Sequence, residues 1–152
     1  MTPEDRLQEL NLVLPSPPNP LGAYVPALEA GGLLFVSGML PVAKQQPAWT
    51  GQLGRELGVA EGCVAAKLAA LNGLAVARAE LGSLNRIRRL ARLTVHIFAI
   101  PDFGEHAKVA DGASELLAAV FKDGGGHARL AVGASSLPAR MPVELELVFE
   151  LA

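Results

Sequence analysis

The chain's 152 residues are 51% hydrophobic and 18% charged, enough apolar content to bury one domain's core, which excludes a disordered chain or a long repeat array. Its 13 lysines and arginines against 15 aspartates and glutamates leave a formal net charge of -2, so nothing global attracts phosphate backbones or anionic lipid. A single cysteine, Cys63, excludes an internal disulfide and a cysteine-based zinc site. The acidic opening Met1-Thr2-Pro3-Glu4-Asp5 is wrong for a secretory leader, and the charge-free window Leu10 to Leu28 is interrupted by Pro15, Pro17, Pro18, Pro20 and Pro26, so no membrane span is expected there. The expectation is a soluble, cytoplasmic protein.

Taken in order, Pro3 to Leu14 reads as a short amphipathic helix with Leu7, Leu10 and Leu14 at helical spacing, stopped by a proline-rich loop over 15–22. Tyr24 to Leu28 and Leu33 to Ser37 read as a hairpin turned at Glu29-Ala30-Gly31-Gly32, with Pro26 pushing the first strand to a sheet edge. After a loop over 41–58, residues 59–81 predict a long helix with a stripe of Val64, Leu68, Leu71, Ala75 and Ala79, capped by Gly82. Leu90 to Ala99 alternates and predicts a strand with two unlike faces, one of which carries Arg92, Thr94, His96 and Phe98. Asp102 and Glu105, three apart, have the spacing of a capping box for a second helix running to Gly124-Gly125-Gly126, with Ala113, Leu116, Leu117, Val120 and Phe121 inward. Ala128 to Gly133 forms another strand, and Val143 to Leu151 is the clearest alternation, with Glu144, Glu146, Val148 and Glu150 opposite its apolar set; no tail follows it.

This order predicts one α+β domain over 1–152, with a mixed sheet and both helices packed on one face, residues 1–22 being an N-terminal extension and loop. The other face would gather Arg92, Thr94, His96, Arg129 and Glu144 beside Phe98, Ala131 and Val148. That mixture is too apolar for water, so a partner subunit is expected to cover it.

Standard catalytic signatures are few. His96, His106 and His127 are spaced by 10 and 21, without a zinc-binding pattern, so no metal is expected. The triple glycine follows a helix and lacks the Lys and Ser/Thr of a phosphate loop, Ser37 lacks a nucleophile elbow, and Cys63 sits among alanines as a small apolar residue. Arg86, Arg88, Arg89 and Arg92 form the one basic cluster, but no aromatic residues interleave with it to stack bases, and a solvated turn accounts for it. Arg129 and Glu144 keep a chemical logic: an arginine fork suits a planar carboxylate, although a structural ion pair or a subunit contact fits the same pattern.

The stretches Pro20-Leu-Gly-Ala-Tyr24, Leu34-Phe-Val-Ser-Gly-Met-Leu-Pro41, Ala69-Ala-Leu-Asn-Gly-Leu74, His127-Ala-Arg-Leu-Ala-Val-Gly133, Leu137-Pro138 and Val143-Glu-Leu-Glu146 resemble, in order, the YjgF-like reactive intermediate deaminases, historically labelled endoribonuclease L-PSP. The resemblance implies a chorismate-mutase-like fold and a homotrimer with clefts between subunits. It also implies a cofactor-free hydrolysis of 2-imino or enamine acids to 2-keto acids and ammonia. By position, Arg129 would bind the substrate carboxylate, Tyr24 would close the cleft, Glu144 would orient water, and Ser37, Gly38 and the strand beside Ala131 would complete the pocket. The chain departs from the family in having Ala23 before the tyrosine where proline is usual, Ala131 where cysteine is frequent, and Pro101 where asparagine is common. The alternatives are a non-catalytic trimeric module that binds a small carboxylated metabolite, and an endoribonuclease using the arginine cluster.

Overall fold

In the computed structural model, which describes all 152 residues, the strongest alternation in the sequence becomes the middle of the sheet. The strands β1 (Ala27–Ala30), β2 (Leu33–Met39), β5 (Ile87–Phe98), β6 (Ala128–Ala134) and β7 (Val143–Leu151) lie in the order β1-β2-β7-β5-β6. All neighbours are antiparallel except β5 and β6. Two short strands, β3 (Val42–Ala43) and β4 (Gln46–Pro47), make a separate hairpin in the loop before the long helix. The β1–β2 hairpin turns on Gly31 and Gly32, both at positive φ, a pair of conformations that glycine alone adopts without strain. β1 is an edge strand beginning after Pro26, three residues later than the apolar run suggests, and Glu29 and Ala30 belong to it instead of to the turn.

Three helices accompany the sheet: α1 (Pro3–Glu9), α2 (Val59–Leu81) and α3 (His106–Val120). α1 is shorter than its leucine spacing suggests; the chain leaves it at Leu10 and turns at Asn11, φ 54, leaving Leu10 exposed while Leu7 and Leu14 stay buried. α2 ends on Gly82 in the left-handed region, as expected of a C-terminal cap. Its inward surface, however, is not the stripe that spacing selects. Val64 is exposed, Ala79 faces solvent, and the buried positions include Ala65, Ala66, Ala69, Ala70, Gly73, Leu74 and Ala77. The helix is packed on two sides, by the sheet and by α3, and small side chains let backbones approach. Gly112 of α3 faces the Cys63 backbone so closely that an added Cβ would lie 2.8 Å from the Cys63 carbonyl carbon. α2 is long and apolar enough to cross a membrane, but more than half of it is buried inside the fold, as in a core helix.

α3 starts at His106, four residues after Asp102, which lies in a preceding turn. Glu105 occupies the cap position and its carboxylate accepts from Lys108 Nζ instead of capping the helix. The helix stops at Val120 and a single 3-10 turn over 122–124 leads to Gly125 at φ 80. Ala113, Leu116, Leu117, Val120 and Phe121 are buried, and one apolar core joins α2, α3 and the inward faces of β2, β5 and β7. The domain is α+β, with the helices on one face of a mixed sheet.

Candidate functional site

Register decides which side chains share a face. Across β5 and β7, Thr94 pairs with Glu146 and His96 with Glu144, while Val95 pairs with the buried Leu145. Glu144, Glu146, Thr94 and His96 therefore share the helix-free face, joined through β2 and β1 by Phe35 and Leu28, which pair with Val148 and with each other. Leu28, Phe35 and Leu130 are 58%, 43% and 46% exposed, so this face is half apolar and open in the single chain.

Arg129 and Ala131 are not on it. β6 runs parallel to β5, with Arg129 opposite Leu93 and Ala131 opposite Val95, and in a ladder directly paired residues point the same way. Both therefore stand on the helix side, Ala131 packed against the core and Arg129 reaching α3. The pattern Ala-Arg-Leu-Ala-Val-Gly has small or apolar residues on both sides, so alternation alone could not tell which side met the helices. The guanidinium Nη1 donates to Asp111 Oδ1 at 2.6 Å and to Ser114 Oγ at 3.1 Å, and Ser114 Oγ lies 2.9 Å from His127 Nε2. Burial, helped by the Arg129 charge, holds the His127 imidazole below its ordinary pKa.

Tyr24, Ser37, Gly38 and Glu144 do come together. With Leu21, Leu40 and Pro138 they line an open cleft of about 550 Å³. A bulge in β2 makes this possible. Val36 pairs with Leu147 and Met39 with Leu145, so Ser37 and Gly38 together face Glu146 and the strand bends. Ser37 is fixed there by donating its N–H to the Pro26 carbonyl and its hydroxyl, at 2.7 Å, to the Val25 carbonyl. Gly38 then lies against Glu144, where a Cβ would be 3.0 Å from the carboxyl carbon. Tyr24 is placed by a tight loop in which its hydroxyl accepts from the Leu21 N–H at 3.0 Å. The bulge could have been suspected from glycine inside the strand pattern Phe-Val-Ser-Gly-Met. Asp111 and Ser114 carry no sequence signal of their own, and Pro138 only as part of the Leu137-Pro138 stretch.

Glu144 makes no hydrogen bond or ion pair within the chain, whereas its neighbour Glu146 meets His96 Nε2 at 2.6 Å. Partial burial pushes the Glu144 carboxyl above the usual glutamate value; nearby His96 pulls it back and Glu146 pushes it up further. A half-buried, unpaired carboxylate beside a cleft can accept a proton from water. The three histidines lie apart, His96 on Glu146, His106 edge-on to Phe103 and His127 on Ser114. Cys63 is partly buried, its thiol donating to the Lys108 carbonyl; burial, with Asp111 and Glu115 nearby, raises its pKa and suits it poorly to act as a nucleophile.

Two carboxylates meet the four-arginine basic cluster, so half of its charge is offset. Arg86 holds Glu29 through two hydrogen bonds, and Arg88 and Arg89 both meet Glu150. The Arg89 Nε contact is 2.7 Å long but satisfies no hydrogen bond, so it counts as a charge contact only.

Residues 4–151 match the family model described as "YjgF/chorismate_mutase-like, putative endoribonuclease". The chain is 41% identical to Protein TCP17 of Trypanosoma cruzi over 146 residues, covering 95% of this chain and 91% of that one. Among solved structures, the protein Atu1372 of Agrobacterium tumefaciens, "with unknown function", superposes with a TM-score of 0.89 at 41% identity, over 99% of this chain and 94% of that one. A "putative endoribonuclease" of Shewanella oneidensis superposes with a TM-score of 0.94 at 35% identity, over 99% and 100%. Fold, motif order and these likenesses agree, and the chain belongs to the YjgF/chorismate-mutase-like family.

Proposed function

We propose that the chain is a cofactor-free deaminase that hydrolyses reactive 2-imino and enamine acids to 2-keto acids and ammonia, working as a homotrimer with clefts between subunits. The observation that carries this reading is the unpaired Glu144 carboxylate, set against Gly38 at the mouth of a cleft with Tyr24 and Ser37. The electrophile is built into such a substrate, because the carbon of a C=N bond already accepts a nucleophile. The protein needs only to orient it and deliver water. Glu144 takes a proton from water as the oxygen bonds to that carbon. Glu144 passes that proton to the nitrogen, giving the carbinolamine, which then collapses: the hydroxyl proton moves through Glu144 to the nitrogen, the C–N bond breaks, ammonia leaves and a C=O bond forms. General-base help of this kind contributes roughly 10²- to 10⁴-fold.

Arg129 supplies the carboxylate clamp in this reading, from a second copy of the chain. Its backbone stands two strands, about 10 Å, from Glu144 and about three residues, another 10 Å, along the sheet, and the two side chains leave opposite faces. One chain thus offers a Glu144 half-site and an Arg129 half-site that meet only across subunits. The half-apolar open face, with Leu28, Phe35 and Leu130 exposed, supports such an assembly.

A second reading, a binding module for a small carboxylated metabolite, is favoured by one likeness. Escherichia coli TdcF, described "with bound serine", shares the fold at a TM-score of 0.63 and 20% identity. The arginine cluster, half offset by Glu29 and Glu150 and without interleaved aromatic residues to stack bases, gives little support to an RNA-directed activity.

Ammonia release, or semicarbazide trapping, from imino acids generated in situ by an amino-acid oxidase decides between turnover and binding. Accelerated hydrolysis that is lost in Arg129→Ala and Glu144→Gln, with assembly intact, is the expected result. No acceleration across parent amino acids of different size would sink the deaminase and favour the module.

A further inference from the structure

Resting on that reading of Arg129, we infer that Asp111 and Ser114 are positioning residues, which pin one amino group of the arginine so that its remaining edge faces a ligand carboxylate already oriented. Asp111 and Ser114 are three apart on α3 and both take Arg129 Nη1, at 2.6 and 3.1 Å, while Nε and Nη2 have no partner in the chain. An unrestrained arginine samples many rotamers, and a guanidinium held by two acceptors has given most of that freedom up before a ligand arrives. The free edge keeps the parallel N–H pair that grips a carboxylate bidentately.

His127 completes the anchor. The arginine N–H must donate to Ser114 Oγ, so that oxygen turns a lone pair towards Nη1. His127 Nε2 lies 2.9 Å from the same oxygen and makes a second hydrogen bond with it. The serine is thereby held in one orientation instead of rotating. Neither Asp111 nor Ser114 touches the ligand in this arrangement; both act through the arginine.

The opposite possibility is that Asp111 competes with the ligand by neutralising Arg129. Asp111→Asn and Asp111→Ala separate the two, because they change net charge equally and differ in whether an acceptor remains for Nη1. The experiment is calorimetric titration of the assembled protein with 2-oxobutanoate, a 2-keto acid, together with KM and kcat on in-situ imino acids. Asp111→Ala is expected to weaken 2-oxobutanoate binding and raise KM about 10-fold with kcat held within about two-fold, and Ser114→Ala to cost about three-fold. Asp111→Asn should stay within about two-fold of the native protein. An Asp111→Ala protein that binds as well as or better than native overturns the inference, as does an Asp111→Asn protein that falls as far as the alanine variant. Native protein that binds no 2-oxobutanoate overturns it too. Should Asp111→Ala fail to assemble, the asparagine and Ser114→Ala proteins decide the matter by the same criteria. Native protein that binds 2-oxobutanoate without hydrolysing any imino acid overturns only the deaminase reading, since the binding series still measures the anchor.

Discussion

The two proposed half-sites on this chain are built on opposite plans. Glu144 is an acid without a partner: it stands on the open face, lies against a glycine and meets no cation. Arg129 is a cation with two partners, drawn across the helix side by Asp111 and Ser114. In the proposed reaction the contrast follows from what each group would do. A carboxylate that accepts protons must not be satisfied by a nearby arginine, which would hold its pKa down and occupy its lone pairs. An arginine that only orients a ligand gains from being held still.

The largest effects are expected where either plan is cut. Arg129→Ala and Glu144→Gln should each lower kcat/KM on imino acids by about 10²-fold or more, measured with in-situ substrate. For the arginine variant the loss should lie mainly in KM, and for the glutamate variant mainly in kcat; the reverse pattern would exchange the two roles. The supporting scaffold comes next. Gly112→Ala places a methyl group against Cys63 backbone that cannot swing aside, and should destabilise the fold by about 2–3 kcal/mol in denaturant titration. Gly38→Ala brings a methyl to 3.0 Å from the Glu144 carboxyl carbon, where side-chain movement relieves it. Stability should change little while kcat falls about 10-fold, because displacement by a fraction of an ångström spoils a positioned base.

The smallest effect is set by pH and separates the acid half-site from the rest of the protein. Glu144 has a raised carboxyl pKa in the folded chain, so its protonated form is favoured there. Stability from this group is present at acid pH and is lost as pH rises through the folded value, while the ionised form needed for catalysis appears over that same window. The acid limb of kcat/KM should therefore fall above the ordinary glutamate value of 4.5. Glu144→Gln should be slightly more stable than native at pH 7, by less than about 1 kcal/mol for a half-exposed group, and not at pH 4. Thermal unfolding of both proteins at the two pH values reads this directly.

Much of the fold was legible because it rests on long periodic segments. The bounds of α2 at 59 and 81, its Gly82 cap and the central alternation of β7 all follow from patterning that packing does not contradict. Where the reading failed, a tertiary partner supplied the missing rule. The stripe Val64, Leu68, Leu71 assumed one buried side, but α2 is enclosed by the sheet and α3, so alanine and glycine surfaces go inward. The Asp102–Glu105 spacing matched a capping box, yet the chain needs those residues to leave β5 and turn before α3 can start. At the site, Tyr24, Ser37, Gly38 and Glu144 were recognisable by motif and do share a cleft. Arg129 is set on the wrong face by the sequence pattern, because a short strand that is apolar on both sides does not disclose which side its parallel neighbour will impose. The anchor of Asp111, Ser114 and His127 was invisible, since it depends on where α3 crosses β6.

That separation of half-sites is the central claim, and subunit mixing tests it most directly. Arg129→Ala and Glu144→Gln proteins, each inactive alone, are to be unfolded together, reassembled at equal amounts, confirmed as mixed oligomers by mass spectrometry, and assayed for ammonia release. If each cleft takes its arginine from one subunit and its glutamate from the next, about a quarter of the clefts in randomly mixed trimers are intact, and activity should return to about that fraction of native. Mixed oligomers that remain as inactive as their parents would contradict the account, because both groups would then have to come from the same chain.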